Sequence, residues 1–343
     1  MNYRYRICLS ILVTGFCVAC SFVYGQQGPR IKGAASFTVV PLGVKGGLDE
    51  SNLSSYMVAP AGSSDYICLD AGTLYAGIRK AIDSGVFHAT INEVFKNNIR
   101  AYLISHPHLD HLAGLIINSP DDGPKPIYGL QSCLEVLQDK YFTWEAWANF
   151  GDEGEKPQLK KYHYSVLQPG VETAIDHTTM AVKAFPLSHG NPSLAVRKTP
   201  VQPQETSYES TAFLVKSGDS RLLYLGDTGA DSVERSDRLH QLWKAVAPLV
   251  SNGQLKAIFI EVSFPNAQPD KQLFGHLTPK WLMTEMSHLE QLNGKGSLKG
   301  LPVIITHRKP SGDQEAVIRK ELEASNPLGL QLIFPEQARP MEF

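Results

Sequence analysis

Five apolar runs in this chain, AYLIS, VKAFPLSH, LLYLGD, AIFIE and VIITH, each end on or run straight into a histidine, aspartate or glutamate. That repeated ending constrains the fold more than any single motif. Short β-rich runs bounded by turn residues read as strands. In α/β folds the carboxyl ends of neighbouring strands meet along one edge of a sheet, and chemistry is placed there. The endings are the cluster beginning at His106, then His189, Asp227, Glu261 and His307. Ligand-type side chains are therefore expected along one rim.

The intervening sequence supplies helices. LYAGIRKAI, INEVFKNNI and HLAGLIINS are short helical candidates, the second with Ile91, Val94, Phe95 and Ile99 at helical spacing. A longer helix is expected over 132–150, followed by a polar segment. LTPKWLMTEMSHLEQL is a helix with Thr278 as N-cap and Pro279 in the first turn. DQEAVIRKELEAS is the last. No repeat or low-complexity linker interrupts residues 26–343, so one α/β domain is expected there.

SHPHLDH, residues 105–111, puts His106, His108, Asp110 and His111 into six positions. Residues two apart in an extended stretch point the same way, so His106 and His108 can share one point. Asp110 and His111 follow a turn and can face a second point. Imidazole and carboxylate without thiolate suit zinc, manganese or iron. The competing explanation, a polar helix start capped by Asp110, does not need four ligand-type residues. Two ions need about six protein ligands plus a shared oxygen. His189, Asp227 and His307, each at a strand end, complete such an inventory.

Composition narrows the partners. The chain has 343 residues and a formal net charge of −2. Proteins that grip long nucleic acid usually carry a basic excess, so a small substrate is favoured. The first 25 residues, with Arg4 and Arg6 before an apolar run, fit a secretory signal peptide cut near Gly25. Export to the periplasm or medium follows, with no membrane span after cleavage. Lipoprotein anchoring at Cys20 is the less favoured variant. Cys68 and Cys133 remain in the mature part and read as isolated core cysteines, with one disulfide as the alternative. The aromatics Tyr141, Phe142, Trp144, Trp147 and Phe150 read first as core, second as a lining for a planar ring. His88, His163, His177, His240 and His288 have no ligand context.

HPHLDHLAGLIINSP resembles the signature of class II cyclic-nucleotide phosphodiesterases, within the metallo-β-lactamase superfamily. The resemblance extends through SHG, GDTG, FIEVSFPN, LFGHLTP and ITHRKP, across nearly the whole mature chain. It implies an αββα sandwich, two mixed sheets flanked by helices. It implies one divalent ion on His106, His108 and His189, a second on Asp110, His111 and His307, and Asp227 bridging them. Zinc is the first choice, manganese or iron(II) the alternatives. A hydroxide held between the ions would be the nucleophile on cyclic AMP or cyclic GMP. The expelled O3′ alkoxide wants a proton. By similarity to tRNA 3′-processing endonucleases, His276 assisted by Glu261 would give it, with Asp110 as the third residue assigned to catalysis. A homodimer is compatible with the family.

Competing functions are another phosphodiesterase or an RNA 3′-end endonuclease on this fold, a β-lactamase, or a non-catalytic metal- or nucleotide-binding protein. The near-neutral charge weighs against RNA. The Glu261 and His276 pair has no obvious task in a β-lactamase or a binding module.

Overall fold

The computed structural model describes residues 35–190 and 208–343. The leader, its cleavage site and Cys20 lie outside the described residues. Ala35–Phe343 form one compact unit.

The strands are β1 (Phe37–Gly43), β2 (Ser55–Pro60), β3 (Tyr66–Leu69), β4 (Ile99–Leu103), β5 (Lys125–Gly129), β6 (Tyr162–Val166), β7 (Thr173–Ala174), β8 (Met180–His189), β9 (Tyr208–Ser217), β10 (Ser220–Leu225), β11 (Leu255–Glu261), β12 (Pro302–Thr306), β13 (Gln331–Ile333) and β14 (Met341–Glu342). They form two sheets, ordered β14-β1-β2-β3-β4-β5-β6 and β13-β12-β11-β10-β9-β8-β7. The first is antiparallel from β14 to β3 and parallel from β3 to β6. The second is antiparallel from β7 to β10 and parallel from β10 to β13. Each sheet is thus mixed in the same way; the chain makes β1 to β6 of the first, then all of the second, and returns with β14 to edge the first.

Side chains alternate across each strand, so every strand feeds two layers. Phe37, Val39, Tyr56, Val58, Ile67 and Leu69 face Phe213, Val215, Leu222, Tyr224, Phe259 and Ile304 between the sheets. Val40, Leu42, Met57 and Cys68 face outward, under α1 (Tyr75–Asp83), α3 (Leu109–Asn118) and α4 (Gln131–Val136). On the second sheet Leu223, Leu225, Ile258, Ile260, Val303 and Ile305 lie under the helices Arg238–Ser251, Pro279–Asn293 and Gln314–Ala324. The layers are helix, sheet, sheet, helix, as the family resemblance implied.

Three details differ from the sequence reading or resolve it. The helix expected over 132–150 stops early. Gln131–Val136 continues as a π-helical turn to Tyr141, Phe142 then drops into the core, and Trp144 takes φ +63°, which no helix allows. Strands β5 and β6 were not anticipated. β5 opens on Lys125, buried because its Nζ bonds Asp122 at 2.6 Å and the Phe95 carbonyl at 2.5 Å. The cysteines are both buried and free; burial pushes the Cys68 thiol up to about 12. No described helix is long and apolar enough to cross a membrane.

Candidate metal centre and active site

The parallel strands end on one rim, and the strand-end residues meet there. β4 runs into Ser105, His106 and His108, and His108 is the N-cap of α3, which places Asp110 and His111 in its first turn. His189 ends β8, Glu261 ends β11, and Asp227 and His307 follow β10 and β12 within two residues. His106 Nε2, His108 Nδ1 and His189 Nε2 converge, with His108 Nδ1 3.1 Å and 3.2 Å from the other two. Asp110 Oδ2 lies 3.1 Å from His307 Nε2, and Asp110, His111 and His307 form a second group of ligand atoms. Asp227 sits between the groups. Its Oδ1 is 3.3 Å from His111 Nε2, and its Oδ2 is 3.2 Å from His307 Nε2 and 3.8 Å from both His106 Nε2 and His189 Nε2.

The outer nitrogens of these rings are tied down, which fixes which nitrogen faces inward. His189 Nδ1 donates to the Gly275 carbonyl at 2.9 Å. His111 Nδ1 donates to Asp70 Oδ2 at 2.7 Å. Ser105 Oγ gives its proton to Asp70 at 2.8 Å and so accepts from His106 Nδ1 at 3.0 Å. Ser263 Oγ gives its proton to Glu261 at 2.5 Å and accepts from His307 Nδ1 at 2.9 Å. These four rings therefore aim Nε2 at the Asp227 carboxylate, whereas His108 turns Nδ1 inward. His111 Nε2 is buried with no hydrogen-bond partner. Lone pairs facing a carboxylate repel unless protons or cations stand between them.

The electrostatics agree. Burial holds His106 well below its ordinary value and His189 down at about 3, so both are neutral. Burial also opposes charge on His111 and His307, yet Asp227 and its neighbouring carboxylates outweigh it and raise both. The donor set thus demands positive charge at its centre and fits divalent cations: His106, His108 and His189 on one side, Asp110, His111 and His307 on the other, Asp227 facing both.

His276 lies at the edge of this cluster. Its Nδ1 donates to Glu261 Oε1 at 2.8 Å, and its ring stacks on His307 at 5.2 Å between centroids. Glu261 is fully buried and also accepts from the Thr228 N–H at 3.0 Å. A cavity of about 830 Å³ opens over the cluster, with His108, Asp110, His189, Asp227 and His276 in its wall. Glu234 also lines it; burial, then the charge of Glu261, push its carboxyl up to about 7.

The sequence reading missed Asp70. Fully buried at the end of β3, it accepts from Ser105 N–H, Ser105 Oγ, His111 Nδ1 and Tyr224 Oη at 2.6 to 2.8 Å. Its signal was present: YICLD is another apolar run ending in a carboxylate. Asp70 and His307 both carry positive φ, +54° and +53°, a conformation that Asp and His tolerate better than most residues. Gly46 was missed too. A Cβ there would fall 2.2 Å from His307 Cε1, so only glycine lets this loop cover the ring. The five other histidines stand outside the cluster: His88, His163 and His177 are exposed, His240 and His288 half-buried. Of the aromatics between 141 and 150, Phe142 is core, Tyr141, Trp147 and Phe150 pack on it, and Trp144 is exposed. None lines the cavity; Phe274 and Trp281 do.

The fold and this rim define a class, the metallo-β-lactamase fold. The structure of unliganded yeast PDE1 superposes with a TM-score of 0.77 over 90% of this chain and 100% of that one, at 24% identity. YhfI from Bacillus subtilis, a metallo-β-lactamase fold protein, gives 0.57 over 90% and 99%, at 17% identity. Within that class the sequence is more specific. The family model described as cAMP phosphodiesterases class-II matches residues 90–337. A 3′,5′-cyclic-nucleotide phosphodiesterase of Aliivibrio fischeri is 43% identical over 90% of this chain and 94% of its own length. The cAMP/cGMP-dependent 3′,5′-cAMP/cGMP phosphodiesterase A of Dictyostelium discoideum is 30% identical over 90% and 81%. The chain belongs to the class-II cAMP phosphodiesterase family.

Proposed function

We propose that this chain hydrolyses 3′,5′-cyclic AMP or cyclic GMP to the nucleoside 5′-monophosphate, using two divalent ions held by His106, His108, His189, Asp110, His111 and His307, with Asp227 shared between them. The observation that carries this reading is the cluster of inward lone pairs around Asp227 in the floor of a cavity of nucleotide size, with the Glu261-held His276 beside it.

Divalent ions in such a site supply Lewis acidity to phosphoryl oxygens and lower the pKa of bound water. The chain's own residues do the rest. The oxygen of a hydroxide, formed when water has lost its proton to solvent, bonds to phosphorus, the P–O3′ bond breaks, and O3′ leaves as a poor alkoxide that needs a proton. His276 delivers it from Nε2, while Glu261 accepts the Nδ1–H hydrogen bond and so fixes the ring. Asp110, in the cavity wall with a Gly47 N–H on Oδ2 at 2.9 Å, orients the reacting face. Zinc is the first choice of metal; manganese and iron(II) accept the same donors.

The test is a product assay of the purified chain with zinc or manganese. Formation of 5′-AMP or 5′-GMP supports the reading; neither product under any of these metals sinks it. His276→Ala is expected to keep its metal content and lose about 10²- to 10⁴-fold in turnover of cyclic AMP. It should retain most activity on p-nitrophenyl phosphodiesters, whose leaving group needs no proton. Equal losses on both substrates would remove His276 from the acid role.

A further inference from the structure

The motif LFGHLTP contributes His276 to the reading above and leaves Phe274 without a task. Phe274 is 63% exposed, although the residues around it are not: Leu273, His276 and Leu277 are all buried. Its backbone adopts φ +52°, a conformation that costs any bulky L-residue and that glycine would take freely. The adjoining Gly275, at φ +79°, already takes it. The turn is fixed from both sides. Leu273 is anchored in the interior and its carbonyl accepts the His276 N–H at 3.0 Å. The Gly275 carbonyl holds His189, and His276 is held by Glu261. A Cβ on Gly275 would fall 2.0 Å from the Gly190 backbone nitrogen, so the turn packs directly against the chain that follows His189.

The turn thus sends one large apolar ring into the wall of the cavity, one residue from the Gly275 carbonyl and two from the imidazole assigned to the leaving O3′. Among the described residues, no hydrophobic core cluster includes this ring. With the phosphate at the cation cluster, the base of a cyclic nucleotide must lie along the cavity wall. The aromatic segment at 141–150 is not in that wall. Phe274 is, and Trp281, whose Nε1 donates to Asp270 Oδ1 at 2.8 Å, stands in the same wall. Every base has a π face, so one aromatic platform accepts adenine and guanine alike.

We propose that Phe274 is the platform on which the nucleobase stacks, a specificity residue that favours cyclic nucleotides over phosphodiesters without a base. This inference rests on the hydrolysis reading for its substrate. The experiment measures cyclic AMP turnover, and the calorimetric binding of AMP and of ribose 5-phosphate, which has no ring to stack, in the metal-loaded wild type, Phe274→Ala and Phe274→Trp. Phe274→Ala is expected to raise KM for cyclic AMP, and to weaken AMP binding, by about fivefold to about a hundredfold. Its affinity for ribose 5-phosphate should stay within about threefold of wild type, and Phe274→Trp should restore the nucleotide values. Unchanged AMP binding in Phe274→Ala, or equal losses on AMP and ribose 5-phosphate, would overturn the platform. AMP binding that weakens as expected in a protein that never turns over cyclic AMP would support the platform and overturn the hydrolysis alone.

Discussion

Asp70 joins four donors at one carboxylate: two from Ser105, one from His111 and one from Tyr224. An ionised carboxylate only accepts, so His111 must carry its proton on Nδ1 and offer Nε2 inward. An amide at this position breaks that logic, because its NH₂ donates. Asp70→Asn should turn the His111 tautomer and cost about 10- to 100-fold in metal affinity, the range for losing such a supporting partner. Competition against a chelator measures it, and unchanged affinity would refute the argument. Asp70 also shows how far residue types can be read without coordinates. His106, His189, Asp227, Glu261 and His307 stood out because each follows an apolar run, and the structure brings them together. Asp70 follows one as well, but its partners come from α3 and the opposite sheet, and nothing local names them.

At the scale of elements, the loop after β1 closes over the rim. Gly46 lies against the His307 ring and Gly47 donates to Asp110, so this loop touches two of the three members of the second ligand group. Gly46→Ala would force a methyl into the imidazole. Overpacking of this kind costs about 1–3 kcal/mol, and here the displaced atoms are ligands. We expect metal content to fall while circular dichroism stays native; a variant with full metal content would show that the loop yields instead. The strands flanked by clear turns were legible because alternation and β-branching are local signals. β5 was not, since KPIYG opens with a lysine and a proline, and Lys125 is neutralised by Asp122 only in three dimensions. The helix over 132–150 was overextended for the converse reason. Its composition suits a helix throughout, but the burial of Phe142 and the left-handed turn at Trp144 end it.

For the whole molecule, both groups of ligand atoms in the cluster are assembled from distant parts of the chain. Ions that fill it bind the folded chain and not the unfolded one, which stabilises the fold by mass action. At a hundred times the dissociation constant the gain is about 2.7 kcal/mol, several degrees in Tm for a domain of this size. Thermal unfolding with added zinc or manganese, against the chelator-treated protein, should show it. A Tm indifferent to both would argue that the cluster holds no ion. The two-sheet core was legible through the family resemblance of the motifs and not from the patterning of single strands. The pairing of one sheet's rim with the other's was not, because it depends on long-range register.

That pairing has a further consequence. The first sheet, complete by β6 except for its edge strand β14, brings Asp70, His106, His108, Asp110 and His111; the second, β7 to β13, and its loops bring His189, Asp227, His276 and His307. Each half of the polypeptide owns only part of each ligand group. An ion bound as proposed would therefore act as a reversible cross-link between two successive halves of the chain, closing a long loop as a disulfide does but releasable by a chelator. Anything that pries the sheets apart would then lower metal affinity, and anything that strips the metal would loosen the seam between them.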